Sequence, residues 1–122
     1  MDEVVDHWRN GAKEALSLAQ SGCEKELYSL ALFNCHLAAE KWIKAQYIKE
    51  HDREPPHTHN LMQIAGHLQR VLKQEQQKIL TSLSKYAVAA RYDDRLWIEE
   101  EATEENVLYW VQAVQDIFTW YI

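Results

Sequence analysis

Residues 25–50 read KELYSLALFNCHLAAEKWIKAQYIKE, twenty-six residues without glycine or proline. At 3.6 residues per turn, Leu27, Leu30, Ala31, Leu37, Ala38, Trp42, Ala45 and Ile48 share one broad apolar face. Leu32, Ala39, Ile43 and Tyr47 fall on the opposite side, and Glu40, Lys41 and Lys44 cluster on an arc between the two. A helix apolar on both sides is either the centre of a bundle or shared between a core and a partner. The second possibility is a first indication of a homodimer.

Working outward, residues 3–20 carry Val5, Trp8, Ala12, Ala15 and Ala19 at three- and four-residue steps, the stripe of a first helix. Ser21-Gly22 would close it, with Gly22 as a left-handed C-terminal cap. On the other side, HDREPPHTHN (51–60) is a loop. Pro55-Pro56 cannot continue a helix, and Thr58 would cap the next one. That third helix uses Leu61, Ile64, Ala65, Leu68 and Leu72. KQEQQK (73–78) is polar but has no helix breaker, so the third and fourth helices are either separate or joined by a kink. Ile79, Leu83, Tyr86, Ala87 and Ala90 carry the fourth, which runs into Arg91. Thr103 caps the last helix, with Glu104 and Glu105 where the helix dipole favours negative charge. Its stripe is Val107, Trp110, Val111, Val114, Ile117, Phe118 and Tyr121. No repeat, linker or low-complexity tract interrupts the series. The expected fold is all-α: one domain over residues 1–122, an up-and-down bundle of four to five helices.

Composition agrees. Three glycines and two prolines leave few turns, which disfavours an all-β fold. Five tryptophans and six tyrosines in 122 residues supply large anchors for a core or an interface. The net charge of −6 argues against a general nucleic-acid binder, DNA included, although a local basic site stays open. Cys23 and Cys35 form no CxxC pair and read as free thiols in a reducing compartment, with Cys35 a small buried hydrophobe. The N-terminus is charged and polar, and no apolar run approaches the roughly 20 residues of a membrane span. The expected location is the cytoplasm, with no membrane partner.

Three clusters carry chemistry. In ARYDD (90–94), Arg91 suits bidentate contact with a carboxylate or phosphate. Tyr92 can stack on a base, and Asp94 can orient Arg91 or touch a ribose. The structural alternative is an Arg–Asp pair pinning a helix end. In HTHN (57–60), His57 and His59 lack a third ligand at a recognisable spacing, so no metal site is assigned. Either these are loop residues, or His59 contacts phosphate or moves a proton. In HLAAEKWIKAQ (36–46), Lys41 and Lys44 are one turn apart and would offer two cations to an anion; the alternative is a structural Glu40–Lys44 pair. His36 and His67 read as polar edge residues within helices, and Trp110–Trp120 as core or dimer interface. No glycine-rich phosphate loop, GxSxG, HExxH or dinucleotide fingerprint is present.

Three segments in order resemble the HEPN family. YSLALFNCHLAAEKWIKAQYIKE (28–50) is similar to its long second helix, with the AAEKxxKA core. PPHTHNLMQIAGHL (55–68) resembles its THxL opening of the third helix, and ARYDD its ARYPD at the end of the fourth. The resemblance implies a helical bundle that dimerises. Such proteins are often encoded beside a minimal nucleotidyltransferase, as a toxin–antitoxin-like pair or as that enzyme's nucleotide- or substrate-binding partner. Other members are metal-independent ribonucleases marked by an Arg, four to six residues, then a His.

This chain departs from that pattern. Asp93 replaces the proline, and no His lies in the seven residues after Arg91. Arg53 and His59 have a matching interval in the wrong place. Without a proton donor beside Arg91, the ribonuclease loses a step unless folding brings His59 there. The expectation is therefore a nucleotide-binding homodimer acting with a nucleotidyltransferase. Its site would be Arg91, Tyr92, Asp94 and His59, with Lys41 or Lys44, and with no cofactor, metal or assigned catalytic residue. The alternatives are a ribonuclease toxin using Arg91 and His59, and a purely structural dimeric module.

Overall fold

The computed structural model describes residues 2–92 and 99–122, with residues 88–92 as helix backbone alone. The helices are α1 (Asp2–Glu24), α2 (Tyr28–His51), α3 (Leu61–Ala65), α4 (Gln74–Tyr92) and α5 (Glu104–Trp120). A further helical turn occupies residues 99–101, and no strand occurs among the described residues.

The centre of the bundle is α2, which packs against α1, α3, α4 and α5. Its buried residues go all the way round: Ala31, Leu32, Cys35, Ala38, Ala39, Trp42, Ile43, Tyr47 and Ile48. The two apolar sides of this helix are thus both occupied within one chain. Leu27 and Leu30 are the exceptions, about half exposed at the start of the helix.

The hairpin of α1 and α2 is antiparallel. Val5 clusters with Ala45 and Ile48 at one end, and Gly22 meets Ala31 at the other. Here the expected cap moves. Gly22 is buried and still helical, and a Cβ there would lie 3.4 Å from the Ala31 Cβ. Gly22 is thus a contact of α1 with the start of α2 instead of a turn. The chain reverses at Glu26, in the left-handed region at φ 62°. The Leu27 N–H donates to the Gly22 carbonyl at 2.8 Å and the Glu26 N–H to Cys23 at 3.1 Å, the paired bonds of a Schellman ending. Residues 25–27 are spent on that turn, so α2 begins at Tyr28.

Asn60, not Thr58, caps α3: its side chain accepts from the Gln63 N–H. The Thr58 hydroxyl accepts from the Asn60 N–H, one step earlier. After Ala65 the backbone tightens into three-residue turns, His67 N–H to Ile64 and Leu68 N–H to Ala65. The third and fourth helices are therefore separate. Leu68 and Leu72 reach the core from the connection, and His67 is exposed outside any helix. Thr103 caps α5 as expected, accepting from the Asn106 N–H at 3.1 Å. The α5 stripe is buried against α1 and α2. Trp42 stacks on Phe118 at 4.3 Å and donates its indole N–H to the Tyr121 carbonyl at 3.0 Å, tying the end of α5 to the middle of α2. No described helix is long and apolar enough to cross a membrane.

Candidate functional site

Three ionisable residues lie one above another on α2 at four-residue steps: His36, Glu40 and Lys44. All three are buried, at 1%, 5% and 8% exposure. Buried charges are costly unless paired, and these are paired. The Lys44 ammonium donates to Glu40 Oε2 at 3.2 Å. The other carboxylate oxygen, Oε1, accepts from His59 Nδ1–H at 2.8 Å. His36 Nε2–H donates to the His59 backbone carbonyl at 3.0 Å. Thus α2 grips His59 twice, by ring and by backbone.

The loop brings His59 there for local reasons. Pro55 is buried, and the Thr58 N–H closes a tight turn onto the Pro56 carbonyl. Two residues past the site, the Leu61 N–H donates to Ser84 Oγ at 3.0 Å. That hydroxyl in turn donates to the Leu80 carbonyl at 2.8 Å. The start of α3 is therefore pinned between α2 and α4. His59, Asn60, Ser84 and Lys85 line an open cleft of about 340 Å³ at this junction.

The electrostatics assign roles. Burial pushes the His36 pKa below its usual value, against the weaker opposing pull of its bond to the His59 carbonyl. His36 is accordingly neutral at pH 7, and its 3.9 Å approach to Glu40 Oε1 is not an ion pair. His59 differs: its side chain is 43% exposed while its Glu40 partner is 7% exposed. A buried carboxylate on Nδ1 fixes the tautomer and the ring orientation. His59 can hold an anion or pass a proton at the cleft edge. Cys35, pushed up to about 12 by burial, offers no thiolate. Both cysteines are free. Among the described residues no group of three or more His, Cys, Asp or Glu side chains is placed to hold a metal ion.

The expected site residues are distributed as follows. His59 is at the cleft. Arg91 and Tyr92 end α4, and Arg91 is seven residues, two turns, beyond Ser84 on the same helical stripe. The side chains of Arg91 and Tyr92, and Asp94 altogether, lie outside the described residues. Lys44 is committed to Glu40. Lys41 faces α1 in a separate cleft with His7, Trp8 and Glu14, where a Cβ on Gly11 would come within 3.2 Å of its ammonium. The two lysines are therefore not presented together to one anion.

Sequence reasoning missed His36, which is buried and hydrogen-bonded, not a polar edge. Its signal was the four-residue step to Glu40 and Lys44 on a helix apolar on every other arc. It also missed Lys85, which lies within the same run as Arg91 but looks like any exposed lysine.

Known proteins bear out the fold. Among solved structures, TT1696 from Thermus thermophilus superposes with a TM-score of 0.84 at 18% identity, covering 96% of this chain and 94% of that one. ST0689, described as an archaeal HEPN homologue, superposes at 0.76 with 22% identity, covering 96% and 93%. No curated protein sequence gives a significant match. At such identities the superpositions speak for the fold alone. The sequence profile of the HEPN domain matches residues 5–122, and this chain belongs to the HEPN domain family.

Proposed function

We propose that this HEPN protein binds a nucleotide through its phosphates at the α3–α4 junction. The observation that carries the reading is the buried Glu40 carboxylate, which holds His59 at the lip of a cleft shared with Lys85. That cleft lies on the α4 stripe that leads to Arg91. An imidazole and a lysine at that cleft, with Arg91 two turns beyond Ser84 along α4, suit a chain of phosphates. The role that fits is a dimeric partner of a minimal nucleotidyltransferase in a toxin–antitoxin-like pair, for which this protein would hold nucleotide or substrate. One observation favours a second reading, a metal-independent ribonuclease. A histidine oriented by a buried carboxylate has the arrangement of a general acid–base, and Arg91 would be the residue to stabilise phosphate charge.

Calorimetric titration with ATP tests the first reading. Saturating heat in the wild type, weakened at least tenfold in both His59→Ala and Arg91→Ala, is the expected result. Folded protein without heat removes it. Cleavage of single-stranded RNA in the presence of a chelator, lost in His59→Ala, moves the assignment to the ribonuclease.

A further inference from the structure

Lys85 belongs to two clefts. On one side it lines the His59 cleft; on the other it lines a cleft of about 380 Å³ between α4 and the start of α5, with Ser82, Glu101, Asn106, Tyr109 and Trp110. Among the described residues Lys85 makes no ion pair, so its ammonium is available to either side.

The second cleft contains an aromatic platform. Tyr109 is 56% exposed, an unusual position for a tyrosine on a helix whose other aromatic residues are largely covered. Its ring meets Trp110 edge-on at 5.0 Å and 85°. Trp110 is itself fixed: it is buried, and its indole N–H donates to the Tyr86 hydroxyl at 2.9 Å. Tyr109 is thus an exposed flat ring on a rigid base, with little freedom to lose on binding. Beside it, Glu101 accepts the Asn106 amide on Oε2 at 2.8 Å. Its other oxygen is left to accept from an exocyclic amino group or a ribose hydroxyl.

Building on the nucleotide reading above, we infer that the α4–α5 cleft is the base subsite, with Tyr109 as the stacking residue. Lys85 sits between base and phosphate. The ligand class is a nucleotide with its heterocycle on Tyr109 and its phosphates running over Lys85 toward His59. A bare polyphosphate would reach only half of the site. Stacking of this kind tolerates any base, so discrimination among bases would rest on Glu101.

The experiment titrates ATP and inorganic triphosphate into wild type, Tyr109→Ala, Tyr109→Phe and Lys85→Ala, with a melting curve for each. Loss of one stacked base weakens binding by roughly tenfold or more. ATP affinity should fall by that factor in Tyr109→Ala and stay within about threefold in Tyr109→Phe, which keeps the ring. Triphosphate affinity should not change in either, while Lys85→Ala should weaken both ligands. Undiminished ATP binding in Tyr109→Ala overturns the base subsite and leaves the phosphate site standing. Equal loss of ATP and triphosphate in that variant also overturns it, since stacking cannot act on a ligand without a base. Absence of ATP binding to wild type removes the nucleotide reading itself and this inference with it.

Discussion

Glu40 carries more of this molecule than its single charge suggests. Its carboxylate is inside the bundle, shared between an ammonium from its own helix and an imidazole from the next loop. Removing one partner of a buried pair leaves the other charge unpaired, which costs several kcal/mol; replacing both with apolar groups of similar volume is close to neutral. Glu40→Ala should therefore lower unfolding stability by about 3 kcal/mol. The double variant Glu40→Met, Lys44→Met should recover to within about 1 kcal/mol of wild type, although it also severs the His59 bond. Urea unfolding of wild type, the single variants and the double variant decides it. Equal losses in single and double variants would mean that the cost lies with His59 and the loop, not with the stranded ammonium. A stable double variant without ligand binding would show that the trio is kept for the site. The Glu40–Lys44 contact was legible from its four-residue spacing. The reach of His59 to Glu40 was not, because it depends on how far the loop between α2 and α3 runs back along α2.

Helices were legible as elements and much less so at their ends. Periodicity gave α1, α4 and α5, because each buries a stripe and a stripe repeats, while α2, buried all the way round, showed itself by its long apolar run without glycine or proline. Ends depend on single hydrogen bonds and on which glycine is needed for what. Gly22 looked like a cap and is a contact surface; Glu26 looked like a helical residue and is the left-handed turn. Thr58 looked like the cap of α3, but Asn60 stands closer to the helix start and takes the Gln63 N–H, while Thr58 takes that of Asn60. At Thr103 no second candidate competed, and the expectation held. The misplaced cap has a measurable consequence. A left-handed residue with a Cβ is strained by about 1 kcal/mol relative to glycine, and part of that gain is offset by the added freedom of glycine in the unfolded chain. Glu26→Gly should raise stability by about 0.5–1 kcal/mol in thermal or urea unfolding. A loss of that size would mean that the Glu26 side chain makes a contribution greater than the strain. Gly22→Ala should also raise stability, by up to about 1 kcal/mol, because its methyl group would meet Ala31 at an ordinary contact distance of 3.4 Å while alanine favours the helix.

At the scale of the whole molecule, one helix decides the architecture. Because α2 is enclosed by α1, α3, α4 and α5, its buried ionisable residues have only two outcomes: to be paired or to be neutral. Glu40 and Lys44 take the first and His36 the second. From this follows a pH dependence with a definite sign. Burial lowers the His36 pKa in the folded state below its ordinary 6.5, so the unfolded chain takes up this proton at higher pH than the folded one. Stability attributable to His36 is full above about pH 6.5 and is lost as the pH falls from there toward the folded value, by at most about 1.4 kcal/mol per pH unit. The groups facing the ring pull both ways: Glu40 favours its protonation, while His59 and Lys44 oppose it. Protonation would place a second cation beside Lys44 in a region with one carboxylate. His36→Gln keeps a donor for the His59 carbonyl and removes the titration. Urea midpoints measured at about pH 7.5 and 5.5 should fall clearly in the wild type and much less in the variant. If both fall by the same amount, the proton enters elsewhere, on an exposed histidine or a carboxylate. His36 would then be simply a packed and hydrogen-bonded ring.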